Sequence, residues 1–247
     1  GGLNSMIVDS SALLERACDD IMRSAFNSAG QRCSALRLLL IHQEIYPQLM
    51  SMLKGAMNDL TIGAPNDLNV DVGPIINTDS LIKLESYLNK MKSEGHTIFQ
   101  VAKDCMSDDG CFLPPTLIEL ELSSMPDEEQ FGPILHVASF TEETLIDALK
   151  EIDSKGFALT FGIHTRIDAR ALEVVKHTSS GNIYINRDIV GAVVETQPFG
   201  GKNLSGSGFK AGGPNYLLQF MDERVVTVNT VAIGGNIDLI NLSHDDE

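Results

Sequence analysis

Positive charge is scarce in this 247-residue chain. Lys and Arg number 18 against 34 Asp and Glu, leaving a net charge of −16. A phosphate-binding surface needs an excess of basic side chains, so the balance argues against nucleic acid and against anionic membrane surfaces as partners. Long apolar runs are missing too: none reaches the ~18 residues that span a bilayer. The opening Gly1-Gly2-Leu3-Asn4 has neither the basic start nor the apolar core of a signal peptide. It also lacks an initiator Met, so the chain is expected to be a piece of something larger. Cysteine is sparse. Cys18, Cys33, Cys105 and Cys111 form no Cys-x-x-Cys pair, which points to a reducing cytoplasm rather than a disulfide framework. In that compartment the sequons at Asn203 and Asn241 carry no meaning. There are no internal repeats and no low-complexity tracts.

What is present is a globular composition, 43% hydrophobic and 21% charged, in a chain long enough to bury a full core. Residues 10–29 carry apolar side chains at Leu13, Leu14, Ala17, Ile21, Met22 and Ala25, the spacing of a helix. Asp9 or Ser10 is placed to cap its start and Gly30 to end it. Residues 36–41 then read as a strand buried on both faces of a parallel sheet. Helices are expected at 46–58, 79–92, 142–151 and 169–177, and strands at 97–101, 116–120, 134–140, 158–163 and 182–186. This alternation predicts an α/β domain on a mostly parallel sheet. Residues 187–214 are rich in Gly, Pro, Ser and Asn, and a loop of that length is usually functional. A short helix near 214–220 precedes the β-branched run 224–231, which reads as an edge strand seeking a partner.

Three superficial motifs fail on their context. Gly206-Ser207-Gly208-Phe209-Lys210-Ala211 matches the dinucleotide fingerprint as a string, but no strand precedes it and no βαβ unit surrounds it. Asp67-Leu68-Asn69-Val70-Asp71 begins like a calcium loop, yet Val72 stands where Gly is needed and Thr78 where Glu is needed. The six histidines show no zinc-ligand spacing.

The pentapeptide Gly30-Gln31-Arg32-Cys33-Ser34 is different. A Cys at a helix-to-strand junction beside a fixed positive charge is placed to act as a thiolate nucleophile. Two further segments accompany it: Glu129-Gln130-Phe131-Gly132-Pro133 and Pro198-Phe199-Gly200-Gly201. Together the three resemble the catalytic half of an aldehyde dehydrogenase, and the resemblance covers essentially the whole chain. It implies a three-layer αβα catalytic domain over residues 1–220, with 221–247 as an oligomerisation strand and tail. It also implies that Cys33 adds to an aldehyde, that Glu129 binds the nicotinamide ribose of NAD, and that Phe131 lies near the nicotinamide ring. Ser34, Gly191, Ala192 and Phe199 look like the substrate pocket of glutamate-semialdehyde dehydrogenases, in which hydroxyl and backbone N–H donors hold a carboxylate and an aromatic ring packs on the aliphatic chain. The 227–236 tail and Lys210-Ala211-Gly212-Gly213-Pro214 are most similar to the bifunctional proline utilization A enzymes, which carry an FAD-dependent proline dehydrogenase upstream.

One departure matters. The family's catalytic Glu precedes a Gly-Gly that sits 31 positions ahead of the Cys, and here Gly2 occupies that place. The Glu, the oxyanion-hole Asn and the NAD-binding domain would lie before Gly1. The resemblance therefore implies a catalytic domain that works with upstream domains, as a homo-oligomer, and is inactive alone. Its expected reaction is the oxidation of L-glutamate γ-semialdehyde. Another semialdehyde such as succinate semialdehyde, or a non-catalytic assembly module, are the competing readings.

Overall fold

The computed structural model of the chain describes residues 1–102, 110–193 and 195–233. Its centre is a seven-stranded sheet built from β1 (Asn4–Val8), β2 (Leu36–His42), β3 (Thr97–Gln100), β4 (Thr116–Glu119), β5 (Ile134–Phe140), β7 (Thr160–His164) and β8 (Asn182–Ile185), in the order β3-β4-β5-β2-β1-β7-β8. Every pairing is parallel except that of the edge strand β3 with β4. A separate two-stranded ribbon joins β6 (Phe157–Ala158) to β9 (Lys202–Asn203). The α/β class and the mostly parallel sheet expected from the alternating pattern are what the chain forms.

Helices cover both faces. Side chains of α1 (Leu14–Phe26), α2 (Tyr46–Asn58) and α3 (Thr78–Ser93) pack with Met6, Val8, Leu39 and Ile41. Those of α4 (Leu145–Ser154) and α5 (Asp168–Val175) pack with Ile7, Leu38 and Leu40 on the other face. β2 is buried along its whole length, and each fully buried Leu or Ile stabilises the fold by roughly 1.5–3 kcal/mol relative to exposure. The Asn77 side chain accepts a hydrogen bond from Ser80 N at 2.8 Å and caps α3. No helix among the described residues is long and apolar enough to cross a membrane.

Two expectations are corrected, and one strand was not expected. Residues 4–8 form the strand β1, paired on both sides at the sheet centre; its polar start, Asn4-Ser5, masks the period. The first helix is shorter than 10–29, and its end is not at Gly30. α1 stops at Phe26, and Ser28, Ala29 and Gly30 then take successive left-handed conformations with φ of 56°, 52° and 64°. The 158–163 run is divided between β6 and β7. Residues 224–231 pair with no strand among the described residues, and Val225, Val226 and Val228 stand exposed to solvent, open to the partner that an edge strand needs. Cys105 and the 234–247 tail lie outside the described residues.

Candidate active site

The site grows from the amino-terminal edge of the parallel strands, opposite to the carboxyl edge where open α/β sheets usually bind ligands. Cys33 precedes β2, Glu129 to Gly132 precede β5, and Leu159 precedes β7. Parallel register carries these strand starts to the same edge, and three features hold the Cys33 loop there.

The first is the left-handed turn at 28–30. Non-glycine residues there are strained, and tertiary bonds offset that strain. The Gln31 side-chain amide donates to Pro74 O at 3.0 Å while its oxygen accepts from Ile76 N at 2.9 Å. Arg32 Nε donates to Ser28 Oγ at 3.0 Å. The second is Asn4, a buried β1 side chain whose amide donates to Cys33 O at 2.7 Å and Ala35 O at 2.8 Å, while its oxygen accepts from Thr160 N at 3.1 Å. It ties the loop to two strands from below and leaves the exposed Cys33 side chain free to face solvent.

The third is Arg37. It sits at an irregularity in the β1–β2 register and is only 1% exposed. Its guanidinium donates to Gly132 O at 3.0 Å, Arg32 O at 3.2 Å and Glu129 Oε1 at 3.1 Å. It also lies 5.4 Å from the centroid of the Phe131 ring. Burial lowers its pKa, and the nearby Glu129 and Cys33 oppose that shift; arginine remains charged throughout.

Two clefts open on this framework. One, of about 430 Å³, is lined by Cys33 together with Leu159, Phe199, Phe209, Tyr216 and Phe220. Phe199 is held in place by paired backbone bonds to Ala211 at 2.9 and 3.0 Å. Asn182 donates to Pro198 O at 2.9 Å and accepts from Gly200 N at 3.1 Å, fixing the loop on either side of Phe199. The first of the fingerprint-like glycines serves packing here: a Cβ on Gly206 would meet Gly201 O at 2.3 Å. The other cleft, of about 470 Å³, runs beside α3 and is lined by Ser80, Lys83, Tyr87, Glu129 and Phe131.

The structure thus brings Cys33 and Phe199 into one cleft and Glu129 and Phe131 into the other. Ser34 is buried beneath Cys33, its carbonyl accepting from Thr160 Oγ1 at 3.4 Å, and it does not line the cleft. Gly191 (φ 72°) and Ala192 lie outside both linings, although Arg32 Nη1 comes within 3.9 Å of where a Gly191 Cβ would stand. Sequence reasoning missed Asn4, Lys83, Tyr87, Arg37 and the aromatic residues Phe209, Tyr216 and Phe220. For Arg37 a signal existed: a lone charge inside an otherwise apolar strand is rarely buried without a partner.

His136, buried in β5, extends the network. A carbonyl can only accept, so His136 Nδ1 donates to Arg37 O at 2.9 Å, and Nε2 therefore accepts from Tyr87 Oη at 2.8 Å. Burial is the main cause that lowers the His136 pKa from 6.5 to about 4, with Arg37 and His96 adding repulsion and the bond to Arg37 O opposing. The unfolded chain binds this proton near the ordinary value and the fold only near the lowered one. Stability is therefore expected to fall as pH drops between them, by at most about 3 kcal/mol. Urea unfolding across that range measures it, and an unchanged pH slope in His136→Gln would contradict the assignment.

A family model described as "Aldehyde dehydrogenase family" matches residues 1–226. The chain is 44% identical over 229 residues to the bifunctional protein PutA of Klebsiella aerogenes, covering 91% of this chain and 18% of that protein. It is 33% identical over 230 residues to the 1-pyrroline-5-carboxylate dehydrogenase of Oceanobacillus iheyensis, covering 92% and 44%. A crystal structure of bifunctional proline utilization A superposes with a TM-score of 0.88 at 44% identity, over 95% of this chain and 24% of the other. The chain therefore spans less than half the length of the curated relatives it matches.

Proposed function

Because the chain belongs to the aldehyde dehydrogenase family, we propose that it is the catalytic domain of an enzyme that oxidises L-glutamate γ-semialdehyde to L-glutamate with NAD, the second step of proline catabolism. The observation that carries this reading is Cys33 itself, exposed in a cleft opposite Phe199 and backed by a loop that Asn4 and Arg37 hold in place. The names of the relatives, PutA and 1-pyrroline-5-carboxylate dehydrogenase, support the substrate.

In this reading the Cys33 thiolate adds to the aldehyde carbon, forming a C–S bond and an oxyanion, for which the Cys33 backbone N–H is a candidate donor. NAD⁺, when bound by Glu129 and Phe131, would supply the hydride acceptor, and the Cys33 sulfur would carry the acyl group that remains. Water then hydrolyses the thioester, releasing the carboxylic acid and returning the thiol. A largely buried carboxylate and an exposed aromatic ring, sharing one cleft with Lys83 and Ser80, suit a ribose and a nicotinamide ring. Glu129 would accept from ribose hydroxyls and Phe131 would flank the ring. Phe199 would pack on the substrate's aliphatic chain, and Ser34, Gly191 and Ala192 are proposed to hold its α-carboxylate.

The short span of this chain against its relatives supports partner domains in the working enzyme, among them an NAD-binding domain that carries the base for hydrolysis and, upstream, an FAD-dependent proline dehydrogenase. The exposed Val225, Val226, Val228 and Val231 support a homo-oligomeric contact. The deciding experiment is NADH formation by the full-length protein with glutamate semialdehyde and succinate semialdehyde in parallel. Glutamate semialdehyde is expected to win, with Phe199→Ala lowering its kcat/KM about tenfold or more; residues 1–247 alone are expected to form no NADH. Equal turnover of the two aldehydes would keep the family and discard the substrate.

A further inference from the structure

The guanidinium of Arg37 touches both halves of the site, as does the Gly1–Gly2 backbone, which lines the Cys33 cleft and donates to Glu129 Oε2 at 3.3 Å. Cys33 lies in one cleft and Glu129 in the other. Among the described hydrogen bonds, the nucleophile loop and the Glu129 carboxylate meet only through this side chain, which donates to Arg32 O and Glu129 Oε1 with the same nitrogen. Its other terminal nitrogen anchors Gly132 O in the turn that carries Phe131. From behind, His136 fixes the Arg37 carbonyl and is itself fixed by Tyr87, on the wall of the Glu129 cleft. A charge this deeply buried is costly, and the planar guanidinium serves acceptors on two sides from two separate nitrogens, a span that a single ammonium nitrogen lacks.

We propose that Arg37 is a positioning residue that couples the two clefts, so that the setting of the Cys33 loop and the orientation of Glu129 toward the cofactor depend on one guanidinium. This rests on the reading of Cys33 as nucleophile and Glu129 as cofactor ligand given above. It predicts a communication that neither residue possesses alone: disturbing the carboxylate in one cleft alters thiol presentation in the other.

The test uses the full-length protein. Arg37→Lys keeps the charge and loses the fork. It is expected to raise the KM for NAD about tenfold or more and to slow alkylation of Cys33 by iodoacetamide by a similar factor, the scale of a lost charge-assisted hydrogen bond. Peptide-resolved mass spectrometry follows the alkylation, with Cys111 as an internal reference whose rate should not change. In a Glu129→Gln background the further rise in KM from Arg37→Lys should be less than about threefold, because coupled residues are not additive. A second measurement needs no change at Arg37: hydrogen exchange at amides 32–36 should quicken in Glu129→Gln. Wild-type KM and alkylation in a folded Arg37→Lys, additive effects, or unchanged exchange in Glu129→Gln each overturn the coupling. None of these touches the underlying assignment, which instead fails if Cys33→Ala stays active or Glu129→Gln binds NAD as before.

Discussion

Replacing Cys33 by alanine in the full-length protein is expected to cut aldehyde-dependent NADH formation by at least about 10⁴-fold, the scale seen when a covalent nucleophile is removed. The size of the effect follows from the absence of a substitute among the described cysteines. Cys18 is buried in α1, and burial, with some repulsion from Asp19, pushes its thiol up to about 11, so it stays protonated at neutral pH. Cys111 is partly covered and its sulfur lies 3.4 Å from Thr78 Oγ1, in a contact with α3 and away from the Phe199 cleft. Cys18→Ala and Cys111→Ala should therefore leave kcat within a few-fold of wild type. The fold should tolerate Cys33→Ala, because the loop is held through backbone carbonyls that accept from Asn4 and Arg37. Steady-state kinetics together with thermal unfolding make the comparison. Retained turnover in a normally folded Cys33→Ala would remove the covalent mechanism from consideration.

Gly30→Ala is expected to damage stability and activity together, although it adds a single methyl group outside both clefts. Gly30 has φ of 64°, where a side chain costs about 1–2 kcal/mol, and its Cβ would lie 2.2 Å from Gly132 O and 2.7 Å from Gly132 C. Both are backbone atoms and cannot swing aside. Either the turn before Cys33 or the turn carrying Phe131 must move, and Gly132 O is also an acceptor for Arg37. Strain and overpacking together should cost about 2–5 kcal/mol. A displacement on the order of 1 Å at the nucleophile loop should lower kcat by about a hundredfold. Urea unfolding and NADH formation on the same preparation test both. A variant with wild-type stability would mean that the two turns do not touch as described, whereas a destabilised variant with full kcat would free the nucleophile loop from the Gly132 turn.

Much of this molecule was legible before any coordinates. Helical spacing in α1 and α2, and the apolar strands at 36–41 and 134–140, are local patterns that the chain obeys because each element buries one stripe or both faces on the sheet. The proposed nucleophile was singled out for a similar reason: the Gly-Gln-Arg-Cys-Ser context lies within five adjacent residues. Its glycine was assigned the right backbone hand and the wrong place, since it closes a left-handed turn and does not cap the helix.

What the sequence determined by itself, then, is what neighbouring residues decide among themselves: the alternation of helix and strand, the α/β class, and a cysteine at a helix-to-strand junction with two accompanying peptide motifs. Tertiary structure alone decided which distant groups meet. Arg37 reaches Glu129 across 92 positions and Asn4 reaches Thr160 across 156, separations over which no periodicity carries information. Those contacts exist because parallel pairing delivers the starts of β1, β2, β5 and β7 to one edge of the sheet. They persist because buried polar groups there have water to lose and only one another to bond. The strand expected at 224–231 marks the same boundary from the other side: a β-branched run sets a preference for extended backbone, but only a second backbone can make it a strand.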